Sequence, residues 1–134
     1  MRLASVVAVL VTGLVLTACD RPATQHVTAT LALNGEALSG TAVRLYLERN
    51  CRGEYLESMS SEMGVADWSR TVTIGGIDVV TDEISLCVPK NDGWRELYWS
   101  RHGPAPRTIE MDCDLARAEA DICEVKMDGT SHDA

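Results

Sequence analysis

Thr108-Ile109-Glu110-Met111-Asp112-Cys113 and Cys123-Glu124-Val125-Lys126-Met127 decide the fold. In both stretches the odd-numbered positions are apolar and the even-numbered ones polar. A period of two belongs to a strand with one face buried and the other in water. As strands, both turn Cys113 and Cys123 to the same buried side. The connection, Leu115-Ala116-Arg117-Ala118-Glu119-Ala120, is short enough for a hairpin or a small helical turn.

The same alternation runs through the rest of the body. Val27, Ala29, Leu31 and Leu33 share one face, and Asn34-Gly35 is a strong turn signal. Val43, Leu45 and Leu47 share the next, with Arg44, Tyr46 and Glu48 opposite. Strands are expected over 54–59, 68–74, 83–88 and 94–100, parted by polar or glycine-bearing turns such as Ser60-Ser61-Glu62-Met63-Gly64 and Pro89-Lys90-Asn91-Asp92-Gly93. Seven or eight short strands with almost no helix predict an all-β domain, an antiparallel β-sandwich spanning 27–127. Asp128 to Ala134 is polar and reads as a disordered tail.

The stretch Asn34-Gly35-Glu36-Ala37-Leu38-Ser39-Gly40-Thr41-Ala42-Val43-Arg44-Leu45 resembles the opening of carboxypeptidase regulatory-like, or transthyretin-like, domains. The resemblance covers residues 26–74, with Ser60–Gly64 and Trp68 where that family has a turn and an aromatic strand. Its Thr-Asp pair is absent here. The resemblance implies a sandwich and no activity, since such domains are mostly non-catalytic.

Ahead of the domain, Arg2 is followed by an apolar stretch from Leu3 to Leu16 and then Thr17-Ala18-Cys19. This is the layout of a secretory leader, and the apolar run is too short for a comfortable membrane span. Leu16-Thr17-Ala18-Cys19 resembles the lipobox of bacterial lipoproteins. The resemblance implies removal of residues 1–18 and acylation, including palmitate, at Cys19. It places the protein in the cell envelope facing the periplasm, anchored by lipid. Asp20 resembles the inner-membrane retention signal of enteric bacteria; other lineages sort differently, which leaves the outer membrane open. Residues 19–26 read as a lipidated tether reaching at most about 25 Å.

Four cysteines remain in the exported chain: Cys51, Cys87, Cys113 and Cys123. An even number in a small secreted domain argues for two disulfides. Strand phase favours Cys113–Cys123, which leaves Cys51–Cys87. A zinc site would want closely spaced cysteines or histidines, and neither these nor His26, His102 and His132 supply them. No metal or cofactor is expected.

The formal charge is -8, from 12 basic and 20 acidic residues. Loss of Arg2 with the leader makes it -9. Such a domain repels nucleic acid and anionic lipid head groups and attracts a basic protein. No nucleophile elbow surrounds Ser100 or His102, and no phosphate-cradling glycine loop occurs. Glu110, Asp112 and Asp114 alternate as a solvated strand face does. The protein is therefore not expected to be an enzyme.

One segment points to binding. In Trp94-Arg95-Glu96-Leu97-Tyr98-Trp99, strict alternation puts Leu97 and Trp99 inward and exposes Trp94 with Tyr98. Exposed aromatics are typical interface anchors. His102, in the loop beyond, extends the patch. The rival reading is that Trp94 only covers a sheet edge. Trp94, Tyr98 and His102 are thus the candidate partner-binding residues. The expected function is a membrane-tethered, non-catalytic module for a protein partner, with neutralisation of a basic toxin or cell-wall hydrolase as one form. The alternatives are a peptidoglycan- or carbohydrate-binding lipoprotein and a structural component of an envelope assembly.

Overall fold

The computed structural model describes residues 20–75, 82–103 and 105–128. The leader, Cys19 and residues 129–134 of the expected tail lie outside them. Among the described residues nine strands follow one another: β1 (Asp20–Leu33), β2 (Glu36–Ala37), β3 (Ala42–Glu48), β4 (Arg52–Met59), β5 (Val65–Gly75), β6 (Asp82–Lys90), β7 (Gly93–His102), β8 (Thr108–Asp114) and β9 (Cys123–Asp128). A single 3-10 turn, Glu119–Asp121, lies between the last two. Eight of these strands are the eight that alternation predicts. The ninth, β2, adds two residues to the Asn34-Gly35 hairpin, and Asp128 closes β9 instead of opening a tail.

The strands form a sandwich of two sheets. In the five-stranded sheet β1 is central: β5 and β2 pair with one of its edges, β8 with the other, and β9 lies beyond β8. The four-stranded sheet runs β4-β3-β6-β7. Every ladder is antiparallel except β1–β8, which is parallel. The expected antiparallel β-sandwich is thus formed, with this one parallel pair inside it. Val27, Ala29 and Leu31 of β1 and Ile109, Met111 and Cys113 of β8 face Val43, Leu45, Ile84, Leu86 and Val88 of the other sheet, all buried.

Residues 20–26, read from composition as a tether, are the first half of β1. They pair with β5 residue by residue, from Asp20 opposite Gly75 to His26 opposite Ser69. The inward phase of Val27 continues back through Gln25, which is fully buried. A polar inward residue hides the pattern in the sequence. The structure meets its cost with hydrogen bonds. Gln25 accepts from Arg70 Nε at 2.7 Å and donates to the Pro106 carbonyl at 2.7 Å and to Asp82 at 3.2 Å. Arg70 in turn pairs with Asp82.

Both disulfides form as expected, Cys113–Cys123 from strand phase and Cys51–Cys87 by elimination. The second joins residues directly opposite in the β8–β9 ladder. The two bridges close loops of sequence separation 36 and 10. Chain-entropy arithmetic then gives about 4 kcal/mol for the first and about 3 kcal/mol for the second. Replacing Cys51 and Cys87 by serine should therefore lower the denaturant midpoint more than replacing Cys113 and Cys123, as chemical unfolding followed by tryptophan fluorescence would report.

Asp114 holds the β1–β2 turn. Its carboxylate accepts the backbone N–H groups of Asn34 (2.9 Å), Gly35 (2.8 Å) and Ala116 (3.0 Å). Asn34 and Gly35 both have positive φ, 53° and 81°, as a tight hairpin turn requires. The hydrogen bond from Ala116, then that from Gly35, draws the Asp114 pKa below its ordinary value. A depressed folded pKa stabilises above the unfolded value and loses that contribution as pH falls through the folded one. Asp114→Asn should lower the unfolding midpoint at neutral pH, and the gap from wild type should close as pH falls from the unfolded carboxylate value through the lowered folded one.

Candidate functional site

The outer face of the four-stranded sheet is set by a bulge in β7. Leu86 pairs with Tyr98 and Cys87 with Glu96, so Leu97 is one residue too many. A bulge reverses the alternation on either side of it. Leu97 enters the core, and Tyr98 packs against the core edge from the same side. Trp99, opposite Ser85, faces outward with Trp94 and Glu96. The expected pairing of Trp94 with exposed Tyr98 is thus corrected: Trp94 faces out, but its companion is Trp99. His102 ends β7 opposite Asp82, half-buried, and its Nε2 is buried with no hydrogen-bond partner among the described residues. It does not extend the Trp94 patch.

Outward positions of β3 and β4 complete the face. Tyr46 lies opposite Tyr55 and Arg44 opposite Glu57. Four of the chain's six aromatic residues therefore share one side of one sheet. They are organised around guanidinium groups. Arg44 lies between the rings of Tyr55 and Trp94, 3.8 and 3.9 Å from their centroids. It also donates to the Tyr46 hydroxyl at 2.8 Å and pairs with Glu57 at 3.0 Å. The Tyr46 hydroxyl first, and Glu57 after it, raise the Arg44 pKa above its ordinary value, so the stacked group is always a cation. Arg49 covers Trp99 at 4.4 Å, and Trp99 Nε1 donates to Glu83 at 3.0 Å.

The β3–β4 turn is pinned onto this face. Cys51 at the turn is bridged to Cys87 of β6. The Asn50 N–H donates to Glu96 at 2.7 Å, and Ser85 Oγ donates to the same carboxylate oxygen at 2.6 Å. Asn50 and Cys51 both take positive φ to make the turn. Tyr46 is buried beneath this arrangement, whereas Tyr55 remains 44% exposed on the edge strand. The result is an array of rings and cations in which the Tyr55 ring lies open to solvent. Alternation alone had put Arg44 and Tyr46 outward. The stack itself depends on the register of β3, β4, β6 and β7, which no local pattern announces.

The outer face of the five-stranded sheet is different. A shallow trough of about 400 Å³ there is lined by Thr28, Thr30, Glu110, Asp112, Glu124 and Lys126. Asp112 lies directly opposite Glu124, an unfavourable like-charge pair. Among the described residues, no three His, Cys, Asp or Glu side chains are grouped to hold a metal ion.

No family model matches the chain, and no curated protein matches it. A solved DUF3823 family protein from Parabacteroides merdae is similar in structure at a TM-score of 0.42 with 11% identity, over 67% of this chain. The chain spans 44% of that protein's length. The fold assignment rests on this chain's own strand pairing.

Removing the cation from the stack should be felt locally. Arg44→Met keeps the side chain's length and loses the charge. It should lower the denaturant midpoint and red-shift the tryptophan emission as Trp94 is uncovered.

Proposed function

We propose that this protein is an envelope lipoprotein, lipidated at Cys19, whose transthyretin-like sandwich is a non-catalytic binding module for a protein partner. The observation that carries the proposal is the outward face of β4-β3-β6-β7, where Tyr46, Tyr55, Trp94 and Trp99 are interleaved with Arg44 and Arg49. Aromatic and arginine side chains dominate the energetics of protein interfaces. A face already locked by a disulfide and cation stacking loses little entropy on binding. The formal charge of -8 favours a basic partner. A basic toxin or cell-wall hydrolase held inactive near the membrane fits that charge. The lipobox resemblance and the two disulfides support an extracytoplasmic place for it.

A second reading keeps the face and changes the ligand. The open ring of Tyr55 could stack on a sugar of peptidoglycan, which would make the protein a glycan-binding lipoprotein. Salt separates the two, since charge-steered protein binding weakens with ionic strength and ring stacking does not.

The test is crosslinked purification of the lipidated protein from its own envelope, in parallel with Tyr55→Ala. Tyr55 is exposed, so its loss should leave folding intact. Recovery of one basic protein, released by salt and bound about tenfold more weakly by the variant, is the expected result. Salt-resistant recovery of peptidoglycan fragments alone would favour the second reading. Equal recovery by both forms would remove the face from the account.

A further inference from the structure

Strand β1 pairs with β8 only from His26 onward but with β5 from Asp20. Among the described residues, 20–25 and 70–75 therefore form a two-stranded ribbon that runs on past the β8 edge of the sheet. Six strand residues span about 20 Å. An isolated two-stranded ribbon is marginal in water, and this one is fixed at its root. Gln25, fully buried, binds Arg70, Asp82 and the Pro106 carbonyl, so β1, β5, β6 and the β7–β8 connection meet at one point. Val72, opposite Ala23 within the ribbon, is buried as well.

Cys19 directly precedes the ribbon. We propose that the ribbon is a stiff stalk that carries the lipidated Cys19, so that the sandwich stands on the membrane in one orientation. This rests on the lipoprotein reading above. Seven loose residues would let every face of the domain meet the bilayer in turn. A stalk does not. Strands β1 and β8 run away from the anchor and β5 returns toward it. The turns at Asn34–Gly35 and Ser60–Gly64 and the β8–β9 connection consequently gather at the far pole. Leu33 and Met63, 46% and 74% exposed, lie at that pole and face the compartment.

The full chain, purified from its envelope in detergent, provides the test. The mass of the N-terminal peptide decides lipidation by itself: an unmodified Cys19 would overturn the anchor and leave the ribbon untouched. Hydrogen exchange on the same sample decides the ribbon. Its ladder amides should be protected to within about tenfold of those at 27–31; exchange at the free-chain rate would overturn the stalk. Neutron reflectometry of the lipidated protein on a supported bilayer then reads the pose. A Gly/Ser insertion of about ten residues between Cys19 and Asp20 should broaden the protein layer, and identical profiles would overturn the fixed orientation.

Discussion

The five-stranded sheet depends on the double pairing of β1. From His26 to Thr30 this strand is hydrogen-bonded along both edges, antiparallel to β5 and parallel to β8. A slip of one residue on either side would turn Val27, Ala29 and Leu31 out of the core. The register is enforced again at the end of the strand. Leu31 N–H donates to the Gly64 carbonyl at 2.8 Å, and the turn there passes so close that a Cβ on Gly64 would lie 2.4 Å from the Leu31 carbonyl oxygen. Gly64 also has φ of +79°, which only glycine adopts cheaply. The β4–β5 turn is thus fitted to β1, and the link between the two sheets is fixed with it.

The second sheet uses its core-facing side conventionally and its outer side unusually. An ordinary solvated sheet face carries short polar groups, as Thr28, Thr30, Glu110 and Glu124 do on the other sheet. Here the outer face holds stacked rings and guanidinium groups beneath a disulfide-pinned turn. Each cation stacked on a ring contributes about 0.5–2 kcal/mol according to its desolvation. The array also fills space that a turn lying over a flat sheet would leave open. The same contacts that stabilise the sheet hold its outer rings in place.

How much of this could be read in the sequence follows from which forces are local. Period-two alternation is local, so eight strands and the pairing of Cys113 with Cys123 were legible from residues such as Ile109, Met111 and Val125. The first half of β1 was not, because Gln25 is polar yet inward; its burial is made tolerable by Arg70, Asp82 and Pro106, remote in sequence. The facing of the candidate residues is half legible. Alternation puts Trp94 outward, as it is, but exchanges Tyr98 and Trp99, because an extra residue at Leu97 shifts the phase and leaves no mark in composition. The company that Tyr55 and Arg44 keep with Trp94 is a cross-strand fact and needs the register of β3, β4, β6 and β7.

The central claim is that Arg44 is stacked between Tyr55 and Trp94 on an outward face that also carries Trp99. Proton NMR of the sandwich domain tests it most directly. The side-chain protons of Arg44 should be shifted upfield by both rings and show cross-peaks to Tyr55 and Trp94, with Trp99 giving cross-peaks to Arg49. Unshifted Arg44 resonances, or contacts from Arg44 to Tyr98 in place of Trp94, would contradict the stack and the face built upon it.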